Sequence, residues 1–96
     1  MIVRLTVDIA PSLEEDMIDC LLGFVQLTSF SSYEIRRHGD GEMLSTLEKV
    51  TGRALAIRFD LLLDESFVET LLGEIKKSVG IGSPYSVMSL QEHGVL

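Results

Sequence analysis

Val3, Leu5, Val7 and Ile9 alternate with Arg4, Thr6 and Asp8, a period of two that turns one side of an extended segment to a core and the other to polar surroundings. A strand over residues 2–9 follows. Pro11 ends the extended run, and Ser12-Leu13-Glu14-Glu15 has the spacing of a capping box, in which a hydroxyl and a carboxylate satisfy the first amides of a helix. Leu13, Met17, Cys20, Leu21 and Phe24 recur at three- and four-residue steps. They predict a helix over about residues 13–23, closed by Gly23 in a left-handed conformation.

Beyond a polar connector at Thr28 and Ser29, residues 30–37 mix aromatic, β-branched and charged side chains, with Tyr33 and Ile35 on one side and Glu34 and Arg36 on the other. This predicts a second strand. Two glycines in His38-Gly39-Asp40-Gly41-Glu42 mark a loop, with a short helical turn near residues 44–48. Strand character resumes over residues 50–63, where Leu55, Ile57, Phe59 and Leu61 alternate with Ala54, Ala56, Arg58 and Asp60. Ser66-Phe67-Val68-Glu69 repeats the capping-box spacing. After it, Val68, Leu71, Leu72, Ile75 and Val79 form an apolar stripe that ends beside Lys76 and Lys77, at the negative end of the helix dipole. Gly80, Gly82 and Pro84 turn the chain into a last strand, in which Tyr85, Val87 and Ser89 alternate with Ser86, Met88 and Leu90.

The order is βαββαβ. An amphipathic helix after the first and third strands suits an α+β, ferredoxin-like sheet with both helices on one face. The uncovered face then displays Arg4, Thr6, Asp8, Ala54, Ala56, Arg58 and Asp60. Two readings of that face stand side by side. It is a wet surface, as antiparallel sheets often present, or it is a subunit interface where small alanines allow close approach and opposite charges pair across chains.

A length of 96 residues, 46% of them hydrophobic, fits one domain spanning residues 1–96. Fifteen acidic residues against eight basic ones give a net charge of −7, which repels phosphate backbones and anionic lipid at long range and argues against nucleic acid as a partner. The most apolar stretch, residues 54–63, is interrupted by Arg58 and Asp60 and is too short to insert into a membrane. With no secretory signal pattern and a single cysteine, Cys20, the expectation is a cytoplasmic protein.

Residues 36–58 run against the overall charge, with Arg36, Arg37, Lys49, Arg53 and Arg58 outnumbering Asp40, Glu42 and Glu48. Arg36, Arg37, Gly39, Lys49, Thr51, Gly52 and Arg53 are the candidate ligand-binding set. Guanidinium forks and glycine-exposed amides suit an anion such as a nucleotide phosphate, while a glycine such as Gly52 is more often a bulge within a long strand. His38, Asp40 and Glu42 combine an imidazole with two carboxylates, and His93 lies beside Glu92. Such donors suit zinc, nickel or copper, so His38, Asp40, Glu42 and His93 are the candidate metal ligands, set against the reading of ordinary surface histidines. The residues identify no cofactor. No nucleophile–base pair, GxSxG, Walker A or GxGxxG is present, and a protein that is not an enzyme is expected.

His38-Gly39, Leu47-x-x-Val50-Thr51-Gly52-Arg53, Tyr85 and Glu92-x-Gly94, within an unbroken βαββαβ order, resemble a small uncharacterised proteobacterial family with a PII-like fold. Its genes often lie beside heavy-metal efflux pumps of the resistance-nodulation-division type. The family is related in fold to nitrogen regulatory PII and CutA proteins, which are trimers with ligand or metal clefts between subunits. The resemblance implies a homotrimer and a regulatory role in which residues 38–48 act as the signalling loop. It also implies a small ligand or metal ion and a partner such as an efflux-pump component. A structural adaptor without ligand, or an anion- or nucleotide-binding PII-like protein, are the alternatives. The glycine- and arginine-rich nucleotide-binding stretches of nitrogen-signalling PII proteins have no match here, and Ser86 follows Tyr85 where the uncharacterised family suggests a second aromatic ring.

Overall fold

The structure is a computed structural model and describes residues 1–38 and 54–96, with the side chain of Ala54 left aside. The described residues form β1 (Ile2–Ile9), α1 (Glu14–Leu22), β2 (Leu27–Arg37), β3 (Ala54–Asp64), α2 (Val68–Val79) and β4 (Tyr85–Ser89). The strands form one sheet in the order β2-β3-β1-β4, and every neighbouring pair is antiparallel. This is the α+β, ferredoxin-like arrangement expected from the alternation of strands and helices.

The core lies between the sheet and the two helices. Val3, Leu5, Val7 and Ile9 from β1 meet Ile57, Phe59, Leu61 and Leu63 from β3, and Met17, Leu21, Val68, Leu71 and Ile75 close over them. Facing residues in an antiparallel pair share a face, so the pairs Val3–Leu63, Leu5–Leu61 and Val7–Phe59 put all six side chains toward the helices. Burial of an aliphatic or phenyl side chain of this kind contributes about 1.5–3 kcal/mol. From β2, Phe30 joins the core, its ring centroid 6.4 Å from that of Phe59. Farther along β2, Ser32, Glu34 and Arg36 share the helix-side face by register but are exposed, and Leu55, opposite Arg36, is 50% exposed. The β2–β3 ribbon therefore runs past the helical layer.

The helix starts differ from the sequence expectation. Neither capping box forms. A 3-10 turn, Pro11–Leu13, leads into α1 with no side-chain cap. Its entry relies on the fixed φ of Pro11 and on three acids, Glu14, Glu15 and Asp16, at the positive end of the helix dipole. A second 3-10 turn, Glu65–Phe67, precedes α2, and its cap is Asp64. The Asp64 carboxylate accepts from the Ser66 amide at 3.0 Å and the Ser66 hydroxyl at 2.6 Å, and its other oxygen takes the Met1 amine at 2.8 Å. Gly23 also departs from expectation, with a right-handed φ of −83°. Gly80 and Gly82 do adopt positive φ, 90° and 98°, and turn the chain from α2 to β4. The second strand begins at Leu27, ahead of the expected start, because a register irregularity between Leu27 and Ser29 lets the polar Thr28-Ser29 pair stay within it. The expected turn at residues 44–48 and the bulge at Gly52 lie outside the described residues.

Candidate functional site

The site is built from cross-strand rows on the sheet face opposite the helices. In one row, Tyr33 of β2, Arg58 of β3 and Asp8 of β1 stand directly opposite one another; in the next, Ser31, Asp60 and Thr6 do so. Register alone thus brings an arginine and an aspartate face to face, the arrangement that favours opposite charges across a strand pair.

Asp8 is 3% exposed, and a buried carboxylate requires compensating charge and hydrogen bonds. It has both. Arg58 donates side-on, Nε to Oδ1 at 2.8 Å and Nη2 to Oδ2 at 3.0 Å. Arg37 donates from Nη1 to the same Oδ2. One carboxylate is therefore held by two guanidiniums. Hydrogen bonding to Asp8 raises the Arg58 guanidinium further above its ordinary range, against the smaller opposing effect of desolvation.

Asp60 is engaged by neutral donors instead. The Thr6 hydroxyl donates to Oδ1 at 2.9 Å and the Tyr33 phenol to Oδ2 at 2.8 Å. The bond to Asp60 raises the Tyr33 phenol above its ordinary value of 10.0, and desolvation adds to the rise. Among the described residues, no buried side-chain nitrogen or oxygen lacks a hydrogen-bond partner. The opposite charges of this face, expected to pair across chains if the face is an interface, thus pair within the chain at Asp8 and Arg58.

Two open depressions flank the cluster. One, of about 410 Å³, is lined by Ile35, Arg36, Arg37, His38 and Arg58. The other, of about 380 Å³, includes Thr6, Asp8, Arg37, Arg58, Tyr85 and Met88 in its wall. A smaller and more apolar pocket of about 220 Å³ lies on the helix side, against Leu72, Ile75, Lys76, Ile81 and Tyr85.

The sequence-derived candidates distribute unevenly over this architecture. Arg36 and Arg37 occupy opposite faces of β2, opposite Leu55 and Ala54 respectively, yet both reach the larger depression because it wraps the strand end. His38 is exposed immediately after β2 and lines the same depression. His93 lies in the exposed segment after β4. Gly39, Asp40, Glu42, Lys49, Thr51, Gly52 and Arg53 lie outside the described residues. Among the described residues, no group of three or more His, Cys, Asp or Glu side chains stands close enough to hold a metal ion. Asp8 and Arg58 are the site residues that sequence reasoning passed over. Their alternation placed both on the open face, but only the strand register shows that they meet.

The chain matches, over residues 1–96, the family described as "Protein of unknown function (DUF3240)", and it belongs to that family. It is similar to the crystal structure of a DUF3240 family protein from Shewanella baltica OS155, with a TM-score of 0.82 and 17% sequence identity, covering 99% of this chain and 96% of that one. It is also similar to the periplasmic divalent cation tolerance protein CutA from Archaeoglobus fulgidus, with a TM-score of 0.76 and 9% identity, covering 97% and 87%. At these identities the likeness is one of fold, and it supports the PII-like architecture. No curated protein matches the chain. Among the described residues, no helix is long and apolar enough to cross a membrane.

Proposed function

We propose that this DUF3240 protein is a non-enzymatic, PII-like sensor. In this reading it takes up a small ligand or metal ion at the end of β2 and acts on a protein partner, such as a component of a heavy-metal efflux system, as a cytoplasmic homotrimer. The observation that carries the reading is the Asp8–Arg37–Arg58 cluster, a pre-organised charged centre on the sheet face opposite α1 and α2, beside the strand end that leads into residue 38. A rigid sheet holding such a centre beside a strand end is the arrangement expected of a binding site built on a scaffold. The carboxylates of this face support binding over catalysis, because each oxygen of Asp8 and Asp60 already accepts a hydrogen bond from a neighbouring side chain. A general base needs an oxygen within reach of a substrate proton.

The fold likeness to CutA, a divalent cation tolerance protein, supports a metal ion as one ligand class. Calorimetric titration with zinc, copper, nickel and cobalt, repeated on His38→Ala and His93→Ala, tests it. Saturable binding that weakens in the variants supports the metal reading; binding unchanged in the double variant removes it. Light scattering tests the assembly, with three copies of the 10.6 kDa chain expected in solution. A monomer at micromolar concentration contradicts it.

A further inference from the structure

The helix-side pocket of about 220 Å³ lies where the last turn of α2, the turn after it and the start of β4 meet. Its floor is apolar. Val7 and Ile75 are 1% and 4% exposed, and Leu72 packs against the same core. Tyr85 stands opposite Val7 in the ladder, so its ring shares the helix-side face. Gly80 and Gly82 pass the pocket with no atom within 4 Å of a Cβ added to either, which leaves that part of the wall bare backbone.

The rim is polar and unspent. It carries the Lys76 ammonium, the Ser83 hydroxyl and the Tyr85 phenol. Among the described residues, none of these three side chains has a hydrogen bond or ion pair, whereas the neighbouring Lys77 pairs with Glu74 at 3.5 Å. No described carboxylate lines the pocket, and none of its lining residues adjoins residues 39–53 in the chain. The C-terminal end of α2 opposes an anion by about half an elementary charge. The Lys76 carbonyl, however, already accepts from the Gly80 amide at 3.0 Å, and the full charge of the ammonium outweighs what is left.

We propose that this pocket binds a small apolar monocarboxylate, a branched-chain or single-ring acid. Its hydrocarbon body covers Val7, Leu72 and Ile75, and its carboxylate meets the Lys76 ammonium and the Tyr85 phenol. Size sets the class from above. A cavity of about 150 Å³ accepts a benzene-sized guest, while drug-sized ligands need about 300–1,000 Å³, so 220 Å³ suits one ring or one branched chain with a small head. Apolar burial supplies the affinity, and the charged rim selects the head group. The site goes beyond the ligand uptake proposed at the end of β2, and either stands or falls without the other.

The test is titration of the full chain with benzoate and with 3-methylbutanoate, followed through the methyl resonances of Leu72, Ile75 and Ile81 in carbon-13 NMR spectra. Benzamide is the uncharged control, and pyrophosphate is the anion without an apolar body. Saturable shifts of these methyls are expected from at least one acid and from no concentration of pyrophosphate. The affinity should fall about fivefold in Lys76→Gln and in Tyr85→Phe, the scale of one ion pair or hydrogen bond at a solvated rim. Lys76 and Tyr85 are exposed, so both variants keep the core. No saturable shift with either acid overturns the proposal, as does an affinity that neither variant changes or a benzamide affinity equal to that of benzoate. Methyl shifts that grow with protein concentration in the absence of acid place a second copy of the chain in the pocket and overturn it too.

Discussion

Arg58 meets Asp8 side-on across the two central strands, with contacts of 2.8 and 3.0 Å, and the pair stands in strict register one residue before the end of β1. Removing either partner has unequal consequences. Arg58→Ala leaves the nearly buried Asp8 carboxylate with Arg37 as its other guanidinium. Arg58 is partly solvated, so the cost falls below the 3–5 kcal/mol typical of a broken buried pair. We predict a loss of about 1–3 kcal/mol in urea unfolding. A double-mutant cycle with Asp8→Asn and Arg58→Gln should return a favourable coupling energy, and additive effects of the two changes contradict the pairing.

Asp64 ties the start of β1 to the end of β3. Bonds from the Met1 amine and from Ser66 lower its carboxyl well below the ordinary 3.8, and the same contact with Asp64 raises the Met1 amine above 8.0. A lowered acid stabilises the fold above its unfolded value and loses that effect as pH falls through the folded one. A raised amine stabilises below its unfolded value and loses the effect as pH climbs through the folded one. Asp64→Asn retains a cap for Ser66 and removes the charge. The difference in Tm between wild type and Asp64→Asn should be greatest between about pH 5 and 7.5 and shrink on both sides. A difference constant with pH contradicts the assignment.

Tyr33 donates its phenolic proton to Asp60, so its ionisation is delayed to higher pH. The stabilisation is complete below the unfolded value near 10 and is lost as pH rises through the folded one. In a Tyr85→Phe background only this phenol absorbs. Ultraviolet titration should then show Asp60→Asn moving its midpoint downward, and an unmoved midpoint contradicts the bond.

Two glycines separate conformational need from packing need. Gly80 has φ 90° and ψ −173°, a region almost restricted to glycine, and no atom stands within 4 Å of an added Cβ. Gly80→Ala should therefore destabilise by about 1–3 kcal/mol through backbone strain alone. Gly23 has a right-handed φ and its added Cβ would meet only ordinary contacts, 3.6 Å from the Cys20 carbonyl. Gly23→Ala should be neutral or stabilise by up to about 1 kcal/mol. Thermal unfolding of the two variants checks both signs.

Much of the fold was legible because periodicity is a one-dimensional property. The alternation at Val3, Leu5, Val7 and Ile9 fixes the buried face of β1 without knowledge of its neighbours. The stripe of Val68, Leu71 and Ile75 does the same for α2. Capping was less legible, because Asp64 lies outside the Ser66–Glu69 motif and a 3-10 turn moves the start of α2 past Ser66. The start of β2 was hidden by Thr28 and Ser29, polar residues carried into the strand where its register shifts.

The site depended on information that no single segment holds. Asp8 and Arg58 meet because β1 and β3 pair with Ile9 opposite Ile57. A slip of two residues would keep every core residue inward and set Asp8 against Ala56 or Asp60 instead. Arg36 and Arg37, adjacent in sequence and taken as one anion-binding set, are split between faces by the pleat and reunited only at the strand end.

The most direct test of a ligand site at the end of β2 is to follow the amide and arginine Nε–H resonances in nitrogen-15 NMR spectra while adding pyrophosphate and then zinc. Saturable shifts centred on Ile35, Arg36, Arg37, His38 and Arg58 are expected. No shift with either ligand, or shifts centred instead on the helix-side pocket at Leu72, Ile75 and Ile81, contradict it.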